Sequence, residues 1–252
     1  MTRWHEQEEW WVNTAQVMFG RDSWETAPLQ VDQTLALAGL EPPVRVLDMP
    51  CGVGRHALAF ARLDCHVTAV DRTAAYLDQA RTAIEGQTTS LQFIQGDMRE
   101  FVRPGAFDLA VNLFTSFGYF EDEDENLRVL RNFHESLRPG GVLVMDLKSK
   151  EILAREFTPH DWRELEDGTL LVEERKVTHD WTWMEVRWLL IRGGERRDYP
   201  FSYRLYSASE LKQMLVETGF TPIRVYGDLS GTAYDHTARR LVLVASKLES
   251  QA

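Results

Sequence analysis

The reading of the fold turns on Val46–Ala61, "VLDMPCGVGRHALAFA". The apolar run from Val44 to Met49, with Asp48 near its end, reads as a short buried strand. From Gly54 onward Ala57, Leu58 and Ala61 recur at helical spacing. Between strand and helix, Gly52 and Gly54 stand one residue apart, so the backbone turns tightly and passes close to whatever rests on it. Gly52-Val53-Gly54 followed by Ala57 matches the G-x-G-x-x-[GA] dinucleotide fingerprint, which alone is weak, since the same glycines also serve a plain tight turn.

Outward from this turn the chain alternates. "CHVTAVD" (65–71) reads as a strand, "AAYLDQARTAI" (74–84) as a helix, and "LQFIQGD" (91–97) and "FDLAVNLF" (107–114) as strands. After the acidic turn "EDEDE", residues 126–137 read as a helix stopped by "RPGG" before the strand "VLVMDL" (142–147). Short apolar strands alternating with helices imply a parallel sheet covered on both faces. From 162 to 206 the pattern changes: "LLVEERKVT", "TWMEVRWLLIR" and "DYPFSYRLY" read as antiparallel strands, the last two joined at Gly193-Gly194. A helix (207–219) with a capping box at Ser207 and Glu210, then strands at 220–227 and 239–247, return to the first style.

We therefore expect a helical arm or lid over 1–43, an α/β core over 44–150, an antiparallel β insertion covering the substrate over 151–206, and completion of the core sheet over 207–252. The arm carries Trp4, Trp10, Trp11, Phe19 and Trp24; packing on the sheet is the plain reading and a roof over a pocket the sharper one.

Composition narrows the function classes. With 44% hydrophobic and 27% charged residues the chain is an ordinary globular protein. No run of about 18 apolar residues occurs and "MTRWHEQEEWW" is too polar for a signal peptide, so no membrane association and a cytoplasmic location are expected. A formal charge of -11 argues against a nucleic-acid partner, whose phosphates need Lys and Arg. Cys51 and Cys65 lack C-x-x-C spacing, and neither a disulfide framework nor a metal site is expected.

Three acids sit where the strands should end: Asp48, Asp71 and Asp97, the last preceded by Gly96. Carboxyl ends of strands form the rim where open α/β sheets hold ligands, and an acid after the second strand suits a ribose diol. Each acid alone also serves as a cap or turn former. Three in register behind a glycine turn point to a site.

With these pieces assembled, the chain resembles the class I S-adenosylmethionine-dependent methyltransferases, from Val44 to Leu147 and more loosely at the C-terminal end. The matching motifs are "VLDMPCGVGR", "VTAVDRT", "IQGDM", "FDLAVNLFTSFGYF" and "LRPGGVLVMDL". The resemblance implies an α/β, Rossmann-like sheet of seven mostly parallel strands with the last antiparallel, the β insertion lying between strands five and six. It also implies S-adenosylmethionine as cofactor, S-adenosylhomocysteine as product, and methyl transfer to a small-molecule acceptor by in-line displacement. Gly52 and Gly54, with amides from Cys51 and Gly52, would lie along the methionine part and Asp48 near its amino group. Asp71 would hold the ribose, Gly96-Asp97 the adenine amino group, Met98 and Arg72 the ring faces, and Asn112 and Leu113 the end of strand four. Many members carry glycine where this chain has Pro50, which removes one backbone N–H from the turn.

The acceptor side is less legible. The Asn/Asp-Pro-Pro-Tyr signature of members that methylate bases or glutamine side chains is absent; "NLFTSFGYF" stands there and favours a small molecule. Candidate acceptor contacts are Trp11, Phe19, Phe117, Tyr119 and, by strand alternation in "YRLYS", Arg204 with Tyr206. Tyr234, with His236 and Arg239 nearby, lies on the loop before the final strand. His56 reads as a capping or supporting residue, and no catalytic base is assigned. The alternatives are a cofactor-binding or scaffold protein of this fold without catalysis, and a nicotinamide oxidoreductase; oligomeric state is open.

Overall fold

The computed structural model describes residues 3–84 and 90–249. Residues 1, 2, 85–89 and 250–252, which fall within three of the expected segments, lie outside the described residues. A 3-10 turn (Trp4–Glu6) leads into α1 (Glu8–Met18) and α2 (Arg21–Ala38). Then follow β1 (Arg45–Asp48), α3 (Arg55–Arg62), β2 (His66–Asp71), α4 (Ala74–Ala83), β3 (Leu91–Gln95) and β4 (Phe107–Asn112). The chain continues with α5 (Glu123–Ser136), β5 (Leu137–Leu147), α6 (Lys150–Glu156) and β6 (His160–Glu164). Last come β7 (Leu170–Thr178), β8 (Trp183–Arg192), β9 (Glu195–Arg204), α7 (Ala208–Glu217), β10 (Phe220–Tyr226) and β11 (Leu241–Lys247).

Seven strands form one sheet in the order β10-β11-β5-β4-β1-β2-β3, with β11 antiparallel to both neighbours and the other six running one way. Its central strands β1, β2, β4, β5 and β11 are apolar on both faces because helices cover both, while the edge strands β3 and β10 are more exposed. Along β11, Leu241, Leu243 and Ala245 join one core with Phe133 of α5 and Leu211 and Leu215 of α7. Val242 and Val244 point the other way, into a core with Phe60 of α3 and Val31 and Leu35 of α2. Thus α2 packs into the body of the protein, while the 3-10 turn and α1 lie above the rim of the sheet.

The insertion is a separate four-stranded antiparallel sheet, β6-β7-β8-β9. Its β8–β9 hairpin turns at Gly193 and Gly194, both at positive φ, as a two-residue hairpin turn requires. Three differences from the sequence expectations have physical causes. The strand β6 was not foreseen because all five of its residues are exposed and no apolar alternation marks it. Helix α5 starts earlier than expected, at Glu123, because the Asp122 side chain caps it and Glu123, Asp124 and Glu125 favour its positive end. "RPGG" lies inside β5 as an irregularity rather than before it: Phe107 pairs with Leu137 but Leu109 with Val142, so the intervening β5 residues bulge out of register.

Candidate active site

A cavity of about 500 Å³ opens at the carboxyl ends of β1 to β4, where ligands sit in open α/β sheets. The glycine turn forms its floor, and His5, Trp11 and Phe19 of the N-terminal arm contribute its roof. Asp48, Cys51, Gly52, Asp71, Arg72, Gly96, Asp97, Met98 and Leu113 all line it, together with Trp11, Phe19 and Tyr119 from the acceptor candidates.

The turn is built around Asp71. One carboxylate oxygen accepts the Gly52 amide at 2.8 Å and the other the Thr73 amide at 2.8 Å, which offset part of the upward pKa shift that burial causes. Cys51 donates its amide to Val70 at 2.9 Å. The two amides that the sequence left for a ligand are therefore both committed to protein partners. Gly52 holds a φ of 55°, and a Cβ there would come 2.9 Å from the Phe19 ring, so the close approach at this glycine is made by the arm. Gly54, at φ 78°, faces away from the cavity, where a Cβ would meet the Phe93 ring at 3.0 Å. It serves the packing of the turn on β3.

Beside the turn lies a pair of opposite charges that the sequence reading only half identified. Asp48 is 2% exposed and its Oδ2 has no hydrogen-bond partner among the described residues. Burial pushes its pKa up to about 7, against the pull of Arg55. Arg55, at the first position of α3, is itself buried, and desolvation lowers its pKa to about 10. It donates to the Ser23 carbonyl at 2.7 Å and to Gln30 Oε1 at 3.0 Å, tying α2 to the turn. Gln30 Oε1 can only accept, so its 2.9 Å contact with His56 Nε2 makes that nitrogen the protonated one. Burial holds His56 well below the usual histidine range, and its imidazole is neutral. A positive residue following Gly54 was visible in the sequence, but its burial beside Asp48 was not.

At the opposite end Asp97 is gripped by Arg99, which donates Nε at 3.0 Å to one oxygen and Nη2 at 2.7 Å to the other. Arg99 also bonds Glu125 at 2.7 Å and Glu6 at 3.3 Å, and it lies 4.6 Å above the Phe120 ring. Arg72 donates to the His5 carbonyl at 3.1 Å. Burial lowers the His5 pKa to about 4, so an uncharged ring faces this end of the cavity. These contacts fasten the arm to the rim. Nothing in local spacing announced them, because Glu6, Arg99 and Glu125 meet only through the tertiary fold.

Several sequence candidates lie elsewhere. Asn112 is buried and donates to the carbonyls of Met49 and Ser116, bracing the ends of β1 and β4. Phe117 and Tyr206 pack on each other in the core, with ring centres 5.5 Å apart. Arg204 donates to the Glu121 carbonyl at 3.1 Å, and the expected shared face with Tyr206 fails because β9 ends at Arg204. Tyr234 bonds Ser149 and Glu151 at the start of α6, and His236 lends its carbonyl to Arg155, both as loop anchors. None of Phe117, Arg204, Tyr206, Tyr234, His236 or Arg239 lines the cavity.

Residues 46–141 match the family model described as a methyltransferase domain. A protein of Geobacillus sp. (strain WCH70), given provisionally as a methyltransferase, is 25% identical over 239 residues, covering 90% of this chain and 92% of its own. The dTDP-3-amino-3,4,6-trideoxy-alpha-D-glucopyranose N,N-dimethyltransferase of Streptomyces venezuelae is 32% identical over 101 residues, 40% of this chain and 41% of its own. The solved structure of the CcbJ methyltransferase from Streptomyces caelestis shares the fold, with a TM-score of 0.76 at 22% identity over 88% of this chain and 90% of that one. Residues 46–141 thus carry a methyltransferase domain, set in an α/β Rossmann-like fold that solved methyltransferase structures share. This domain is the stretch around the glycine turn, and no helix among the described residues is long and apolar enough to cross a membrane.

Proposed function

We propose that the cavity binds S-adenosylmethionine and that the chain transfers its methyl group to a nitrogen of a small molecule. The observation that carries the donor half is the unpartnered Asp48 oxygen buried near Arg55. A buried carboxylate with a free oxygen is costly until a cation meets it. Asp48 and Arg55 present opposite charges to the same end of the cavity, which suits an α-amino acid group carrying both an ammonium and a carboxylate. Asp71 keeps lone pairs for a ribose diol beyond its two amide bonds, and the uncharged His5 ring with Met98 and Phe120, beside the Asp97 carboxylate, suits a purine carrying an amino group.

When bound, this cofactor supplies a methyl group already activated on a sulfonium. The protein then has to hold a nucleophile about 3 Å away and in line. The aromatic rings of Trp11, Phe114 and Tyr119 suit a neighbouring cation and exclude water. An amine acceptor is favoured by the Streptomyces venezuelae relative, named for a sugar amine. It also fits a cavity in which both histidines are held neutral and the Tyr76 and Tyr119 phenols are pushed up by burial. An amine arriving as its free base needs no group to activate it.

Calorimetry tests the donor half. S-adenosylhomocysteine is expected to bind at least tenfold tighter than 5′-methylthioadenosine, which lacks the amino acid group, and NADH is expected not to bind. Equal affinities for the first two would remove the role of Asp48 and Arg55. The acceptor half is tested by following transfer to glycine, sarcosine and glucosamine.

A further inference from the structure

Just past β4, Phe114 and Thr115 hold φ values of 58° and 67°. Two successive non-glycine residues in the left-handed region persist only where surrounding contacts over-determine them, and such segments gather at functional sites. Phe114 lines the cavity and its ring is among the few large apolar side chains left accessible, at 38%.

Besides the Tyr119 hydroxyl, which donates to the Thr115 carbonyl at 3.2 Å, the contacts that hold this turn come from Asp146 and Arg240. Asp146, in β5, is 1% exposed. Its carbonyl accepts the Thr115 amide at 2.9 Å, and its carboxylate lies 3.4 Å from the Phe114 amide. Arg240 donates Nε to one Asp146 oxygen at 2.7 Å and Nη2 to the other at 3.0 Å, and the same Nη2 reaches Thr115 Oγ1 at 3.2 Å. The Phe114 ring is then flanked by the guanidinium groups of Arg55 at 4.2 Å and Arg240 at 5.4 Å, with the His56 ring stacked 5.3 Å away. Topology explains why Arg240 is available. Among the described residues β11 alone in the large sheet runs backwards, so its beginning, rather than its end, lies at the ligand rim beside Asp146.

We propose that Arg240 and Asp146 form a positioning pair that fixes the Phe114–Thr115 turn, with the Phe114 ring as the wall against which the methyl acceptor is aligned. Neither residue touches the reacting atoms. The pair acts on the acceptor side of the site, while the donor is held by Asp48, Arg55 and Asp71. This inference rests on the methyl-transfer reading above, and its readouts separate the two.

The test compares wild type with R240K, R240M and the charge-neutral pair D146N/R240M; the last keeps the question answerable if R240M, which strands the buried Asp146 charge, does not fold. Hydrogen exchange of the peptide spanning 113–118 is expected to quicken at least tenfold in R240M and D146N/R240M, with peptides from β5 and β11 unchanged. S-adenosylhomocysteine affinity by calorimetry is expected to stay within threefold of wild type. With the best amine among glycine, sarcosine and glucosamine, acceptor kcat/KM is expected to fall at least tenfold, partly restored in R240K. Unchanged exchange at 113–118, or a loss of S-adenosylhomocysteine binding as large as the loss of acceptor kcat/KM, overturns the proposal. If wild type turns over none of the three amines, the amine reading is lost, and the exchange data with the calorimetry alone decide the clamp.

Discussion

The carboxylate of Asp71 accepts the amide of Gly52 at 2.8 Å, which makes the acid ending the second strand and the glycine turn after the first a single unit. Ligand recognition at one therefore depends on the shape of the other.

Asp71→Ala should accordingly damage two properties at once. It leaves the Gly52 and Thr73 amides without their charged acceptor, at a cost of about 2–4 kcal/mol in stability. On the proposed reading it also removes a ribose acceptor, and S-adenosylhomocysteine affinity should fall about tenfold or more. Asp71→Asn, which keeps one carbonyl oxygen, should recover part of the stability. Urea unfolding and calorimetry on both variants check this; full affinity in Asp71→Ala would remove Asp71 from the ligand site.

The N-terminal arm divides between α1 and α2, and truncation should expose the division. Val31 and Leu35 of α2 are buried in the core, whereas His5, Trp11 and Phe19 roof the cavity. A chain lacking residues 1–19 should remain folded and bind S-adenosylhomocysteine at least tenfold more weakly. A chain cut at residue 30 loses the first half of α2, with the Gln30 and Ser23 partners of Arg55, and should unfold several degrees lower. Thermal unfolding with calorimetry distinguishes the two, and unaltered affinity after removal of 1–19 would make the roof irrelevant to binding.

The sheet is legible because its central strands are buried on both faces and so appear as continuous apolar runs, as at Leu143 to Met145. Asp48, Asp71 and Asp97 could be placed on one rim from spacing alone, since strand ends in such sheets share a rim. What could not be read was pairing at a distance. Arg204 and Tyr206 alternate properly in sequence, yet the strand stops between them and Tyr206 turns into the core. Arg55 and Gln30 lie 25 residues apart and carry no mutual signal until α2 folds onto α3. Arg240 carries no local signal because its place beside Asp146 depends on the reversed direction of β11.

Arg99→Met should loosen the arm at the far end of the cavity. Arg99 satisfies both oxygens of Asp97 and also bonds Glu125 and Glu6, so three carboxylates lose a partner together. Loss of a partly buried network of this kind costs about 2–3 kcal/mol. Asp97 and Glu125 both have pKa values held below the usual range by Arg99, so the stability they contribute is present above about pH 4 and vanishes as pH falls through their folded values. Wild type and Arg99→Met should therefore converge in stability below pH 4 and differ most above pH 5. A constant difference across that range would mean that Arg99 acts through packing on Phe120 and not through charge.

Asp48 supplies the opposite pH dependence. Its folded pKa of about 7 lies above the unfolded value, so between about pH 4 and 7 the native state keeps a proton that the unfolded chain has lost. Stability from this residue thus falls as pH rises, by about 4 kcal/mol once pH exceeds 7. Asp48→Asn lacks that slope. The stability difference between variant and wild type should grow in the variant's favour from pH 4 to pH 7 and then level off, a comparison in which the titrations of His5 and His56 cancel. Ligand binding should run the other way, because an ammonium favours the ionised carboxylate. Wild-type affinity for S-adenosylhomocysteine should rise about tenfold from pH 5.5 to 7.5, while that of Asp48→Asn stays level and low. Parallel affinity curves in the two proteins would show that the unpartnered oxygen of Asp48 does not meet the amino group.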